Sequence, residues 1–101
     1  MNKGQVVISK NGRDKGKYFI ILDIEDEYLF LADGNLRTIT KPKKKKIKHT
    51  QKTNKIFDLE SVGARGLQDA DLKKWIREAE EIFLLRSASQ KPSQIEASAT
   101  N

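Results

Sequence analysis

The chain has no cysteine and a single histidine, His49. Disulfide staples and cysteine-based zinc sites are therefore excluded, and a histidine-rich metal centre with them. The missing cysteine also fits a reducing cytoplasm, the compartment expected here. No apolar run is longer than Tyr18 to Leu22. That is far short of a signal-peptide core or of the ~20 residues a membrane helix needs, so no membrane association is expected. The 101 residues make one domain with room for an appendage. A domain of that size buries only about 60–65% of its unfolded surface, which leaves little depth for a catalytic cleft. Neither an enzyme, nor a cofactor, nor a small-molecule substrate is expected.

What is abundant is positive charge, and it is uneven. Residues 1–57 carry 14 Lys/Arg against 6 Asp/Glu, whereas residues 58–101 carry 6 against 8. Cations concentrated on one part of a chain point to an anionic partner, most often nucleic acid. The plain alternative is that the lysines only keep the protein in solution.

Residues 1–58 read as a barrel of short strands. Val6-Val7-Ile8 is β-rich and runs into a polar loop, Ser9 to Gly16, whose two glycines supply the positive φ of a tight turn. Tyr18 to Leu22 is apolar on both faces, which predicts a central, buried strand. Glu25-Asp26-Glu27 is a charged turn, and Tyr28 to Ala32 is the next strand. Asp33-Gly34 is a strong two-residue hairpin signal, which would send Leu36 to Thr40 back antiparallel until Pro42 stops it. A fifth strand within 47–57 would close the sheet into a strongly bent barrel.

A linker over 59–69, containing the glycines of Ser61 to Gly66, precedes a helix over 70–86 capped by Asp69, with Asp71 in its first turn. Leu72, Trp75-Ile76, Ala79 and Ile82-Phe83 form one apolar stripe at helical spacing. Glu78 follows Lys74 by four residues and Glu81 follows Arg77 likewise, a spacing that favours ion pairs along the helix. From Ser87 onward the composition is polar, which predicts a disordered tail over 87–101.

Two segments could carry function. The loop Lys10-Asn11-Gly12-Arg13-Asp14-Lys15-Gly16-Lys17 sets four cations among two glycines, so that backbone amides and charged side chains can reach a phosphate together. It is not a nucleotide-hydrolysing P-loop: the spacing from Gly12 to Gly16-Lys17 is one residue short and no Ser or Thr follows the lysine. Residues 41–57 contain eight lysines and no acid. A run such as Lys41, Lys43, Lys44, Lys45, Lys46 and Lys48 repels itself and is not expected to pack alone, but opposite a phosphate backbone each contact releases a counterion. Arg37 and His49 lie close enough in sequence to add contacts. Of the aromatics Tyr18, Phe19, Tyr28 and Phe30, most are expected in the core and not stacked on bases. The carboxylates Asp23, Glu25, Asp26 and Glu27 sit around a turn, where solvated charge is the ordinary role.

These residues carry a resemblance. Gly4 through Ile21, with Gly16 at the position of the motif's glycine, looks like a KOW motif. The continuation through Tyr28 to Gly34 and Arg37 is similar to the fourteen-e family of large-subunit ribosomal proteins, and closer still to the small bacterial KOW-domain RNA-binding proteins. It covers residues 3–54. It implies a mainly β, SH3-like barrel of five strands, followed here by an amphipathic helix and a tail that do not align with the ribosomal members. It also implies RNA contact, ribosomal RNA foremost, through Lys10, Asn11, Arg13, Lys15, Gly16 and Lys17. The competing reading is a protein-interaction module of translation or transcription, docking through the helix. Exposure of Trp75, Ile76 and Phe83 would favour it, and packing of these residues on the barrel would make the helix structural.

Overall fold

The computed structural model describes residues 1–95. It is mainly β: a five-stranded antiparallel sheet followed by one C-terminal helix. The strands are β1 (Gln5–Ser9), β2 (Tyr18–Glu25), β3 (Tyr28–Ala32), β4 (Lys43–Lys46) and β5 (Thr50–Ile56), and the helix is α1 (Asp69–Ile95). The sheet order is β4-β3-β2-β1-β5, so β2 is central as its apolar run predicts.

Both faces of that run are buried, by different partners. Val7, Phe19, Ile21, Leu29 and Leu31 fill the concave interior, joined by Ile24 and Ile47. Val6, Ile20 and Ala32 point outward and are covered by Leu72 and Ala79 of α1. Strand residues alternate between faces, so a run apolar at every position needs a cover on each side. The sheet bends where its register breaks: the β2–β3 pairing jumps between Ile21 and Asp23, and the β1–β5 pairing jumps between Gln5 and Val7. Such bulges increase local twist and let short strands curl around a small core.

Most of the apolar stripe of α1 is used internally, while Ile82 and the adjoining Leu84 and Leu85 are exposed. Trp75, Ile76 and Phe83 pack against the outer cluster, Trp75 stacks on Phe57 at 5.1 Å between ring centroids, and Phe83 lies 5.8 Å from Tyr18. The segment before the helix is no free linker either: Leu59 to Arg65 forms 3-10 turns, capped where Asp58 Oδ1 accepts from the Glu60 N–H, and Leu59 and Leu67 join the same cluster. Asp69 lies in the first helical turn instead of capping it. The Gln68 N–H donates to Asp71 Oδ2, and Asp69 Oδ1 accepts from the Ile39 N–H at 2.8 Å. The backbone continues as helix past the end expected near Arg86, through residues that need no apolar stripe to propagate a helix already begun. Of the tail expected over 87–101, residues 96–101 lie outside the described residues.

One strand departs from the sequence expectation. Leu36 to Thr40 is not a strand, and Asp33-Gly34 does not close a two-residue hairpin. Asp33 Oδ1 accepts from the N–H groups of Asn35 and Arg37, which holds a wider loop. Gly34 uses its positive φ of 80° for a different purpose: its bare Cα lies against the Asp69 carbonyl at the start of α1. Ile39 packs into the outer cluster while Leu36 stays exposed. The strand that pairs with β3 is the lysine run itself, with Tyr28 opposite Lys46, Leu29 opposite Lys45, Phe30 opposite Lys44 and Leu31 opposite Lys43.

Candidate nucleic-acid interface

The register of β4 splits its lysines into two rows. Lys43 and Lys45 lie opposite Leu31 and Leu29 and so share their inward face; Lys44 and Lys46 lie opposite Phe30 and Tyr28 and face outward. The inward pair reaches the loop between β1 and β2. Lys43 Nζ makes an ion pair with Asp14, and Lys45 Nζ donates to the Asn11 carbonyl at 3.0 Å. This is how four consecutive lysines enter a sheet: the stems cover apolar surface and the ammonium groups find fixed acceptors at the barrel rim.

Asp14 is the hub of this arrangement. It is buried, within the 3-10 turn Gly12–Asp14. The hydrogen bond from Lys43 holds its carboxyl below the ordinary carboxylate range, against the opposing effect of burial, and the charges of Lys43, Arg37 and Lys45 act with it. Burial pushes the Lys45 ammonium down, helped by the like charge of Lys43 and opposed by Asp14. One carboxylate thus ties the loop to β4. The sequence carried a sign of it: Asp14 is the first acid in the chain, with none other before Asp23.

The remaining loop cations are free to act outward. Lys10, Asn11, Arg13, Lys15, Gly16 and Lys17 are all exposed. Their backbone is fixed at both ends, since the Lys10 N–H donates to the His49 carbonyl and the Gly16 N–H to the Ser9 carbonyl. Gly12 and Gly16 have φ of 77° and 87°, and a Cβ at either would meet open space, so these glycines serve the turn and not a close approach. Lys41 and Lys48 are exposed, and Arg37 and His49 are half-buried. A groove of about 590 Å³ runs beside the loop, lined by Lys10, Lys15 and Gly16, by Lys52 and Asn54 of β5, and by Phe83 of α1. Among the described residues, no group of three or more His, Cys, Asp or Glu is placed to hold a metal, and no helix is long and apolar enough to cross a membrane.

Two results are expected from the Asp14 hub. Its folded pKa lies below the unfolded 3.8, so the stability it contributes is present above pH 3.8 and is lost as pH falls through the folded value. Urea midpoints at pH 6, 4, 3 and 2 should therefore fall more steeply for the wild type than for Asp14→Asn, which starts lower and has no such carboxyl to protonate. Parallel curves would remove Asp14 from its anchoring role. Second, Lys43→Ala and Lys45→Ala should leave the salt dependence of polyanion binding unchanged, because these ammonium groups are already satisfied within the fold. A fall of about 1 in the slope for either variant would mean that it contacts phosphate directly.

The aromatics divide evenly. Phe19 is interior and Tyr18 packs with the helix cluster, but Tyr28 and Phe30 belong to neither core cluster, contrary to the expectation that most fill the core. Lys44 Nζ sits 4.6 Å from the centre of the Tyr28 ring and 5.9 Å from that of Phe30, and Lys46 Nζ lies 5.9 Å from Tyr28. Nothing in the sequence separates these rings from core residues; only the register does. No known family model matches the chain.

Proposed function

We propose that the protein binds RNA without catalysing a reaction, and that it is a ribosome- or ribosomal-RNA-associated factor. The observation that carries this reading is the anchored loop: Arg13, Lys15 and Lys17 project outward from a backbone clamped to the barrel by Asp14, Lys43 and Lys45. A rigid mount lowers the ordering cost of each phosphate contact, which free lysines in a tail would incur in full. Lys10, Lys41, Lys44, Lys46 and Lys48 extend the positive surface. The choice of RNA over DNA rests on the likeness to KOW-domain proteins, since phosphates alone read alike in both. A protein partner is the weaker reading, because Trp75, Ile76 and Phe83, which would anchor it, pack on the barrel, leaving Ile82, Leu84 and Leu85 as the exposed large apolar residues on that part of α1.

The test is a filter-binding titration of the whole chain against structured ribosomal RNA fragments from about 50 to 200 mM salt. With about five phosphates neutralised, log K should fall with log[salt] at a slope on the order of −4. Affinity of micromolar or worse at the low-salt end, with no slope, would overturn the proposal.

A further inference from the structure

The outer face of β3 changes character along its length. At Ala32 it lies under α1; at Phe30 and Tyr28 it is outside both core clusters. The pairing registers place three parallel rows there. Phe30 lies opposite Asp23 of β2 on one side and Lys44 of β4 on the other; Tyr28 lies opposite Glu25 and Lys46. An aromatic row is thus bordered by carboxylates along one edge, where Lys3 Nζ lies 3.5 Å from Asp23 Oδ1, and by ammonium groups along the other. Cross-strand partners share a face, with Cβ atoms about 5 Å apart, so all three rows can touch one ligand.

Resting on the RNA-binding reading above, we infer that this face is a stacking platform for unpaired nucleotides. Bases lie on Phe30 and Tyr28, the phosphates run along Lys44 and Lys46, and base amino and ring N–H groups point toward Asp23 and Glu25. The charge rows favour that orientation: the lysine edge holds a phosphate backbone, while on the opposite edge Glu25 takes part in no ion pair among the described residues, and Asp23, paired with Lys3, keeps a carboxylate that can only accept hydrogen bonds. The lysines over the rings do not block the site. An exposed cation–π contact is weaker than a base stacked on an aromatic side chain. A base therefore displaces the ammonium, which swings to a phosphate on the same strand. Duplex RNA cannot use the platform, because its bases are stacked within the helix.

The platform and the loop are two sides of one strand. Lys43 and Lys45 hold the loop from the inner face of β4, while the alternate residues Lys44 and Lys46 border the rings on the outer face. One RNA with a helical stem and an unpaired stretch beside it can engage both. The target is accordingly a junction, bulge or loop, not continuous duplex.

The test uses fluorescence anisotropy of the full chain with two labelled probes: a single-stranded RNA octamer without self-complementarity, and a blunt RNA duplex with no unpaired nucleotide. Tyr28→Leu and Phe30→Leu, made separately, should each weaken octamer binding about 5- to 150-fold and leave duplex binding within about twofold. Tyr28→Phe and Phe30→Tyr keep the π-face and should retain octamer affinity, which separates stacking from bulk even where a leucine variant loses stability. Octamer affinity equal to wild type in either leucine variant, at unchanged melting temperature, would overturn the platform. Wild type that binds the duplex with the expected salt slope but not the octamer overturns the platform alone. Wild type that binds neither overturns RNA binding as well.

Discussion

Gly34→Ala is expected to destabilise the protein by about 3 kcal/mol. Two costs combine at this position. The backbone φ of 80° is one that residues with a Cβ adopt at a penalty of about 1 kcal/mol or more. In addition, the new Cβ would land on the Asp69 carbonyl oxygen and crowd the Lys73 amide, both backbone atoms of α1 that no side-chain rotation can move aside. Relief requires the helix to lift from the outer face of the sheet, which loosens Leu72 and Ala79 from Val6, Ile20 and Ala32. Gly12→Ala is the control: its φ is a similar 77°, but its Cβ meets nothing within 4 Å. Thermal melts should show a drop on the order of 15 °C for Gly34→Ala and a few degrees for Gly12→Ala. Equal drops would mean that the loop and the helix start do not touch as described.

That contact also marks where sequence reading stops. The bounds of β3 and the central place of β2 follow from apolar runs and turn residues, because the forces that set them are local or depend on simple alternation, whereas a strand within 47–57 follows from the need to close the sheet. The lysine strand is different. Nothing in Lys43 to Lys46 alternates in polarity; its inward row becomes acceptable only when Asp14 and the Asn11 carbonyl, 29 and 34 residues earlier, meet the ammonium groups. β4 lies at the edge of the sheet, where lysines are tolerated and discourage pairing with other chains. Asp33-Gly34 misled for a related reason: positive φ suits a hairpin and a close helix approach equally, and the sequence does not distinguish them. For the candidate interface, composition alone picked out the loop of residues 10–17. Composition could not tell lysines that brace the loop from lysines that face outward, nor place Tyr28 and Phe30 outside the core.

Replacing Arg13, Lys15 and Lys17 together by alanine is expected to produce the largest functional loss. All three are exposed, and none takes part in an ion pair among the described residues. The substitution therefore removes charge without removing the clamp that Asp14, Lys43 and Lys45 provide. If each cation neutralises one phosphate, the salt slope should shrink by about 2 to 3, and affinity near 0.1 M salt should fall by about 10² to 10³, since each released counterion contributes roughly one decade there. The melting temperature should stay within a few degrees, because exposed charges away from ion pairs contribute little to stability. Two readouts together decide the matter. A large affinity loss with an unchanged slope would mean that the loop contacts something other than phosphate. A slope loss confined to substitutions in Lys44, Lys46 and Lys48 would move the phosphate grip from the loop to the outer side of β4 and the turn that follows it.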